Sequence, residues 1–238
     1  MVYQSFSRSF LASVRGILGQ GGRGVIRDLN IRAAAVVLRS GGMVAFPTDT
    51  VYGLGADAFN ERAVDRIFSA KNRNRDHGLP VLISHLDQIN DLVKKLSKTE
   101  KKLIKHFWPG ALTIVFARNS KVPNIVSGGL DTIAIRMPSS EIALDLIEEF
   151  GGPIVGTSAN RSGFSEAKSA EEAEKEIGSW LDYMIPSDEI CSGTPSTILD
   201  ITTSPPRILR EGGVAASEIF DFLGIPSIDN QDEPQPVG

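Results

Sequence analysis

Short apolar runs that end in turn residues alternate along the chain with segments of helical spacing. The run 41–46, GGMVAF, ends at Pro47 and predicts a buried strand. Comparable runs predict strands at 79–83, 111–117, 132–138, 153–160, 196–202 and 207–210. Such alternation predicts an α/β sheet that is covered by helices.

Helices are predicted between these runs where apolar residues recur every third or fourth position. The clearest covers 61–71, whose apolar side chains share one face. Another begins at an N-cap formed by Ser139 or Ser140 and ends at Phe150, before two glycines. The remaining helical segments are 89–96 and 217–223.

Composition narrows the class of protein without indicating its chemistry. The 238 residues suit one domain, and the formal charge of -4 argues against wholesale coating of nucleic acid. The single cysteine, Cys191, excludes an internal disulfide framework and a multi-cysteine zinc site. No apolar run has the roughly 20 residues of a membrane-spanning helix, so no membrane partner is expected.

The two ends of the chain differ in composition from its middle. Residues 1–27 contain four arginines and no acidic residue, which resembles an organellar transit peptide. The alternatives are a poorly ordered extension and a short amphipathic helix docked on the domain. Residues 226–238 are polar and predict a disordered tail, which leaves 28–225 as the single domain. We expect a cytoplasmic protein, unless the first segment directs it to a mitochondrion or another organelle.

The sequence partly matches several known functional motifs but does not satisfy any of them. The glycines of 19–24 satisfy the letters G-x-G-x-x-G, but no strand precedes them, so a flexible linker fits better than a dinucleotide site. Residues 156–160 approach the serine-hydrolase elbow, yet Asn160 replaces its last glycine and all three histidines precede Ser158. The absence of a Gly-Lys dipeptide excludes a P-loop, and the histidine spacing predicts no zinc site.

Two cations that follow the first predicted helix are candidates for binding phosphate. Lys71 and Arg73 are two positions apart, so their side chains lie on the same side of an extended backbone. A flexible ammonium and a planar guanidinium at one point suit a polyphosphate. A solvated basic loop that caps the helix is the structural alternative.

Polar residues along and after the predicted strands indicate one shared pocket. Thr132 and Arg136 lie on the strand face opposite the isoleucines, so Arg136 is either exposed or enters a polar cavity, where it can pair with a carboxylate. Ligands bind at the ends of strands in α/β sheets. Ordinary capped turns are the alternative. The polar groups at strand ends are those of Thr48, Asp49, Thr50, Ser158, Asn160, Ser162, Ser196 and Thr197.

Seven blocks, taken in order, resemble the YrdC-like family of threonylcarbamoyl-AMP synthases over residues 28–225. They are FPTDTVYGLG, KNR, HFWPGALTIVF, VSGGLDTIAIRMP, GTSANRSG, PSTILDIT and ILREGGV. The resemblance implies an open, twisted, mixed β-sheet covered by helices around a large basic cavity. It also implies a reaction of ATP, L-threonine and bicarbonate that gives L-threonylcarbamoyl-AMP and pyrophosphate, with Mg²⁺. The implied user of the product is a downstream tRNA threonylcarbamoyl transferase complex, without direct tRNA binding by this chain.

The same resemblance implies a role for each candidate side chain. Lys71 and Arg73 correspond to the family's catalytic K-x-R pair, which holds phosphates. The implied ATP contacts are Arg73, Thr132, Asn160 and Arg210, and the implied threonine contacts are Thr50, Arg136, Ser158 and Ser196. Further nucleotide contacts are implied for His77 and Lys168, and no protein side chain is implied as a metal ligand.

The chain departs from the family pattern at two positions. Asn74 stands where many members have proline, which predicts a less rigid loop, and Pro195 stands where glutamate is usual, beside Ser196. We expect the short, single-domain form of the family. The alternatives to a synthase are a non-catalytic nucleotide- or RNA-binding module and a carbamoyl-transferring domain that accepts a different adenylate.

Overall fold

Nine strands in the described parts of the chain, residues 22–188 and 190–225, form one mixed sheet in the computed structural model. They are β1 (Val44–Phe46), β2 (Gly53–Asp57), β3 (Val81–Leu82), β4 (Leu112–Ala117), β5 (Thr132–Arg136), β6 (Ile154–Ser158), β7 (Tyr183–Met184), β8 (Thr197–Asp200) and β9 (Arg207–Arg210). Their order across the sheet is β7-β1-β2-β6-β3-β5-β4-β8-β9. The pairs β1–β7, β3–β5 and β4–β8 are parallel, and the other neighbours are antiparallel. The predicted fold class is confirmed.

Helices pack on both faces of this sheet. They are α1 (Gly22–Arg39), α2 (Glu61–Lys71), α3 (Ile89–Leu92), α4 (Lys98–Phe107), α5 (Asn124–Ser127), α6 (Glu141–Phe150), α7 (Ala170–Ile177) and α8 (Ala216–Leu223). Val44 and Phe46 belong to the apolar cluster formed with α1 and α6, whereas Ala45 belongs to the cluster that contains α2. Because strand side chains alternate in direction, one core lies on each face. No helix in residues 22–188 and 190–225 is long and apolar enough to cross a membrane.

Helix α1 crosses the predicted domain boundary at residue 28. Arg27, in this helix, binds two carboxylates of α6, with Nη1 3.0 Å from Glu141 Oε2 and Nη2 2.5 Å from Asp145 Oδ2. The helix is therefore attached to the domain on both sides of that boundary. The predictions of a transit segment and a disordered tail otherwise fall on 1–21 and 226–238, outside the described residues.

The sequence does not predict strand β2, because two of its five residues are glycines and glycine is disfavoured in strands. Packing requires glycine here, since a Cβ on Gly55 would lie 2.9 Å from the Phe46 ring and 3.0 Å from Val155 O. The strand pairs with both β1 and β6, and Gly53 is the partner of Ser158. The loop that precedes β2 therefore lies beside the loop that follows β6.

The helix predicted over 89–96 is shorter in the structure. Helix α3 ends at Leu92, and Val93 is extended and pairs with Arg118. Helix α4 then begins after Ser97, whose hydroxyl accepts a hydrogen bond from Glu100 N. Leu92 and Val93 are both buried. The apolar spacing thus identified core side chains correctly but not the length of the helix.

Candidate active site

A polar cavity of about 610 Å³ lies where the loop after β1, the end of α2 and the end of β6 meet. Its volume is in the range of small-molecule sites. It brings together all the side chains to which the family resemblance gives a role, except Thr132 and Lys168. Those that line it are Thr50, Lys71, Arg73, His77, Arg136, Ser158, Asn160, Ser196 and Arg210. Of the wider set of polar groups at strand ends, Asp49 and Thr197 are not among the residues that line it.

Two predicted nucleotide contacts, Thr132 and Lys168, are not among the residues that line this cavity. Thr132 begins β5 and pairs with Ala117, so it lies at the opposite end of that strand from Arg136. Strand alternation identified the face on which Arg136 lies, but alternation does not show which end of a strand opens to a cavity. Lys168 is exposed, and its side chain lies against Gly193, since a Cβ added to that glycine would be 2.9 Å from Lys168 Nζ.

Lys71 ends helix α2, and only 2% of this residue is exposed. Its Nζ donates hydrogen bonds to Ser158 O at 2.5 Å and to Asn160 O at 2.6 Å. A third contact, Asn160 Oδ1 at 3.5 Å, is too long to be a strong hydrogen bond, which leaves one N–H for a phosphate oxygen. Burial lowers the pKa of Lys71 to about 8; the charge of Arg73 adds to this effect and the Glu166 carboxylate opposes it.

Arg73 reaches the cavity through a sharp change of backbone direction. Asn72 ends α2 in the left-handed conformation, with φ 50° and ψ 47°. The backbone between Lys71 and Arg73 is therefore not extended, and the prediction of an extended segment is wrong. Both side chains nevertheless line the cavity. Arg73 Nε donates to His77 O at 3.2 Å and Nη2 to Gly78 O at 2.9 Å. Burial and then the charge of Arg210 lower the pKa of Arg73, which indicates that the two guanidinium groups face the same space.

Arg210 ends β9 and belongs to a hydrogen-bonded group on the cavity wall. Its Nε and Nη2 donate to Ser196 O at 3.1 and 2.8 Å, and Nη2 lies 3.2 Å from Ser196 Oγ. Ser196 Oγ is in turn 2.8 Å from Thr113 Oγ1. Sequence reasoning did not name Thr113, because a threonine inside a predicted strand is ordinary for that structure.

Arg136 ends β5, is 5% exposed, and has protein partners for three of its five N–H donors. Nε donates to Gly110 O at 2.8 Å, Nη1 to Thr50 Oγ1 at 2.8 Å, and Nη2 to Asp49 Oδ2 at 2.6 Å. Burial lowers the pKa of Arg136, and the Asp49 carboxylate opposes that shift. Asp49 also accepts a hydrogen bond from Ser139 N at 3.2 Å. Asp49 thus holds the guanidinium in place, and two N–H donors are left for a ligand.

Ser158 ends β6 and Asn160 lies two positions later, but the two residues differ in their hydrogen bonding. Within the described ranges, the Ser158 hydroxyl has no hydrogen-bond partner, so it can bind a ligand. Asn160 is 4% exposed, and its Nδ2 donates to Arg161 O at 3.0 Å and to Phe164 O at 2.7 Å. The amide nitrogen of Asn160 therefore holds the loop that follows β6.

Sequence reasoning missed two further cavity residues in that loop, Phe164 and Glu166. Of the described residues that line the cavity, only Glu166 carries a carboxylate. Its charge opposes the lowering of the pKa of both Lys71 and Arg210, so it faces the cations. Phe164 is 61% exposed. Neither residue belongs to a motif or to a periodic pattern, and only the folded loop shows where they lie.

Known proteins are similar in sequence to this chain over most of the length of this chain. The Sua5, YciO and YrdC family model, described as telomere recombination, matches residues 36–212. A Pyrococcus abyssi protein named threonylcarbamoyl-AMP synthase is 44% identical over 199 residues, which are 84% of this chain and 58% of that protein. A Bacillus subtilis protein of the same name is 39% identical over 203 residues, which are 85% of this chain and 59% of that protein. The chain thus spans less than two thirds of the length of either relative.

A solved structure also resembles this fold. The crystal structure of P. abyssi Sua5 complexed with L-threonine has a TM-score of 0.80 and 44% sequence identity to this chain. The match covers 83% of this chain and 58% of the other. That protein is therefore similar to this chain in both sequence and fold over most of this chain's length.

Proposed function

The chain belongs to the Sua5/YciO/YrdC family, and on this premise we propose that it is an L-threonylcarbamoyladenylate synthase, a nucleotidyltransferase. Its substrates would be ATP, L-threonine and bicarbonate, and its products L-threonylcarbamoyl-AMP and pyrophosphate. The observation that carries this proposal is the convergence of Lys71, Arg73, Arg136 and Arg210 on one cavity that also holds hydroxyl groups. The L-threonine bound to P. abyssi Sua5 supports an amino-acid substrate.

Such a reaction needs positioned charge more than a covalent nucleophile. The threonine amine and bicarbonate form a carbamate with loss of water, and a carbamate oxygen attacks the α-phosphorus of ATP as pyrophosphate leaves. Negative charge on the phosphates is neutralised by Lys71, Arg73 and Arg210, which face the same cavity. Because two carbonyl oxygens already fix Lys71 Nζ, little reorganisation is needed when a phosphate binds.

We assign the threonine site to the wall formed by Thr50, Arg136, Ser158 and Ser196. Arg136 is held by Asp49, and its two remaining N–H donors suit the substrate carboxylate. The Ser158 hydroxyl, which has no partner among the described residues, adds a donor or acceptor on the wall of the same cavity. The nucleotide site is assigned to Arg73, His77, Asn160 and Arg210, which line the same cavity. Thr132 and Lys168, which do not line it, stay as predicted contacts.

Mg²⁺ is proposed as the cofactor, arriving with ATP. In nucleotide sites Mg²⁺ is bound by one or two protein carboxylates together with phosphate oxygens. Glu166 provides one carboxylate on the cavity wall, so the wall fits an ion carried by phosphates. The described residues contain no group of three or more His, Cys, Asp or Glu that could hold a metal. When bound, the ion neutralises phosphate charge.

Glu166→Gln is expected to change the effect of Mg²⁺ on ATP binding. In the wild type the carboxylate repels metal-free ATP and attracts the magnesium complex, so Mg²⁺ strengthens binding. In the variant, metal-free ATP should bind about ten-fold more tightly, and Mg²⁺ should add little. Calorimetric titration with and without Mg²⁺ measures both effects, and Glu218→Gln, which changes an exposed residue of α8, is the matched control. A wild-type response to Mg²⁺ in Glu166→Gln would contradict this role.

ATP affinity is expected to decrease as the pH rises above about 8, where free Lys71 loses its proton. A bound phosphate favours the ammonium and so raises the pKa of Lys71, which makes affinity highest below that pH. Each further pH unit costs up to about ten-fold until the pKa of the bound form is reached. Binding titrations from pH 7 upward should show this decrease in the wild type and in Lys105→Met, an exposed control, but not in Lys71→Met. Parallel profiles for all three proteins would exclude Lys71 as the titrating group.

Pyrophosphate release from ATP tests the proposed function. Release should require both threonine and bicarbonate. Release that ignores threonine would contradict the synthase and favour a different adenylate. ATP or RNA binding without any release would favour the non-catalytic module.

We further propose that the product passes to a tRNA threonylcarbamoyl transferase complex, which modifies an adenosine beside the anticodon, while this chain does not bind tRNA itself. The proposed compartment is the cytoplasm, or an organelle if residues 1–27 act as a transit segment. N-terminal sequencing of the native protein distinguishes the two compartments, because import removes such a segment.

A further inference from the structure

Phe164 is a large apolar side chain that lies open on the wall of a polar cavity. It is 61% exposed and is the one phenyl ring among the described residues that line the cavity. None of the ring–ring contacts in the described ranges involves it. A phenyl ring is stabilised when a flat apolar surface covers its face. The exposed ring therefore suits a ligand with a planar ring.

Hydrogen bonds hold the backbone of Phe164 in place. Phe164 N donates to Arg161 O at 3.1 Å, and the buried Asn160 donates from Nδ2 to Phe164 O at 2.7 Å. Gly163 has φ +87°, a conformation that other residues rarely adopt. The turn is thus built by specific contacts, and its backbone places the Phe164 side chain on the cavity wall.

The same turn is joined to the proposed phosphate-binding ammonium. Lys71 Nζ donates to Asn160 O at 2.6 Å, and Ser162 N donates to Lys71 O at 2.9 Å. Lys71 and Phe164 consequently belong to one hydrogen-bonded unit, and both line the same cavity. A ligand with phosphates at one end and a flat ring at the other could contact both residues, and a nucleotide has that form.

We propose that Phe164 is the surface on which the adenine ring of ATP stacks. This inference rests on the proposed function, in which ATP is the substrate. Stacking of a base on an aromatic side chain is tolerant of base identity, because every base has a π-face. Phe164 therefore contributes affinity for the base and does not select adenine over other bases.

Binding of ATP and of inorganic tripolyphosphate, which lacks a base, tests this role. Phe164→Ala should weaken ATP binding roughly ten-fold or more and leave tripolyphosphate binding unchanged. Phe164→Trp, which keeps an aromatic face, should retain wild-type ATP affinity. Phe59→Ala removes an exposed phenylalanine outside the cavity and is the matched control. Calorimetric titration measures every affinity, and thermal unfolding shows that each variant is folded.

Two results would overturn the stacking role. One is wild-type ATP affinity in Phe164→Ala, and the other is an equal loss for ATP and tripolyphosphate, which would mean that the ring only supports the phosphate site. Either result leaves the proposed function standing if the wild type binds ATP. A wild type that binds no ATP overturns both the stacking role and the proposed function.

Discussion

Lys71→Met is expected to lower kcat by about 100-fold to 1,000-fold, the loss typical when one positioned group that stabilises developing charge is removed. Methionine keeps most of the apolar stem but cannot neutralise phosphate. Two carbonyl oxygens hold the Lys71 ammonium, and among the cations that line the cavity in the described residues Lys71 is the one lysine. The effect should therefore appear in turnover rather than in folding.

The stability of this variant follows from the direction of the pKa shift. Because burial lowers the pKa of Lys71 from 10.5 to about 8, the charged form is disfavoured in the folded protein. This penalty is fully present below pH 8 and disappears as the pH rises towards 10.5, because the unfolded chain then binds more protons than the folded chain. Removing the charge relieves the penalty, which offsets the loss of hydrogen bonds to Ser158 O and Asn160 O.

Steady-state kinetics and thermal unfolding at pH 7 check this prediction together. Lys105→Met, on the exposed face of α4, should behave as the wild type in both measurements. Wild-type turnover in Lys71→Met would rule out the phosphate role. Unfolding of the variant at the assay temperature would show instead that Lys71 is primarily structural.

Arg136→Ala is expected to raise KM for threonine roughly ten-fold to a hundred-fold, with a smaller effect on KM for ATP. The guanidinium keeps two N–H donors for a ligand, and loss of a charge-assisted bidentate contact costs about 1.5–3 kcal/mol. Arg136→Lys should be nearly as impaired. One ammonium cannot replace a planar group that bonds Gly110 O, Thr50 Oγ1 and Asp49 at once.

Kinetic titration of each substrate at saturating levels of the others measures this selectivity. Arg62→Ala, an exposed arginine on α2, is the matched control and should change neither KM. Equal increases in both KM values would show that Arg136 supports the cavity as a whole. Full activity in Arg136→Lys would mean that charge alone, without the planar geometry, is sufficient.

The fold was predictable wherever strands are apolar runs and helices carry sharp end signals. Strands β4, β5 and β6 lie in predicted runs, and Ser140 caps α6 as expected, with its hydroxyl accepting from Ala143 N. Strand β2 was missed because its glycines are required by packing against Phe46, which no local pattern reveals. The length of helix α3 was overestimated because Val93 is extended and pairs with Arg118, just after β4.

The site was predictable to the extent that its residues carry a local signal. Strand alternation identified the face of Arg136, and the position of Thr48 and Thr50 after a buried strand indicated a ligand-binding loop. Asp49 was seen as part of that loop, but its pairing with Arg136 depends on how β1 and β5 are arranged. Glu166 and Phe164 were missed because only the fold places their loop over the cavity.

Mass spectrometry of the nucleotide product determines whether this chain makes L-threonylcarbamoyl-AMP. With ATP, threonine and isotopically labelled bicarbonate, the account predicts an AMP adduct that contains threonine and the labelled carbon, formed in a one-to-one ratio with pyrophosphate. Omitting threonine should abolish both products. An adenylate that lacks the labelled carbon, or ATP cleavage to ADP and phosphate, would contradict the account.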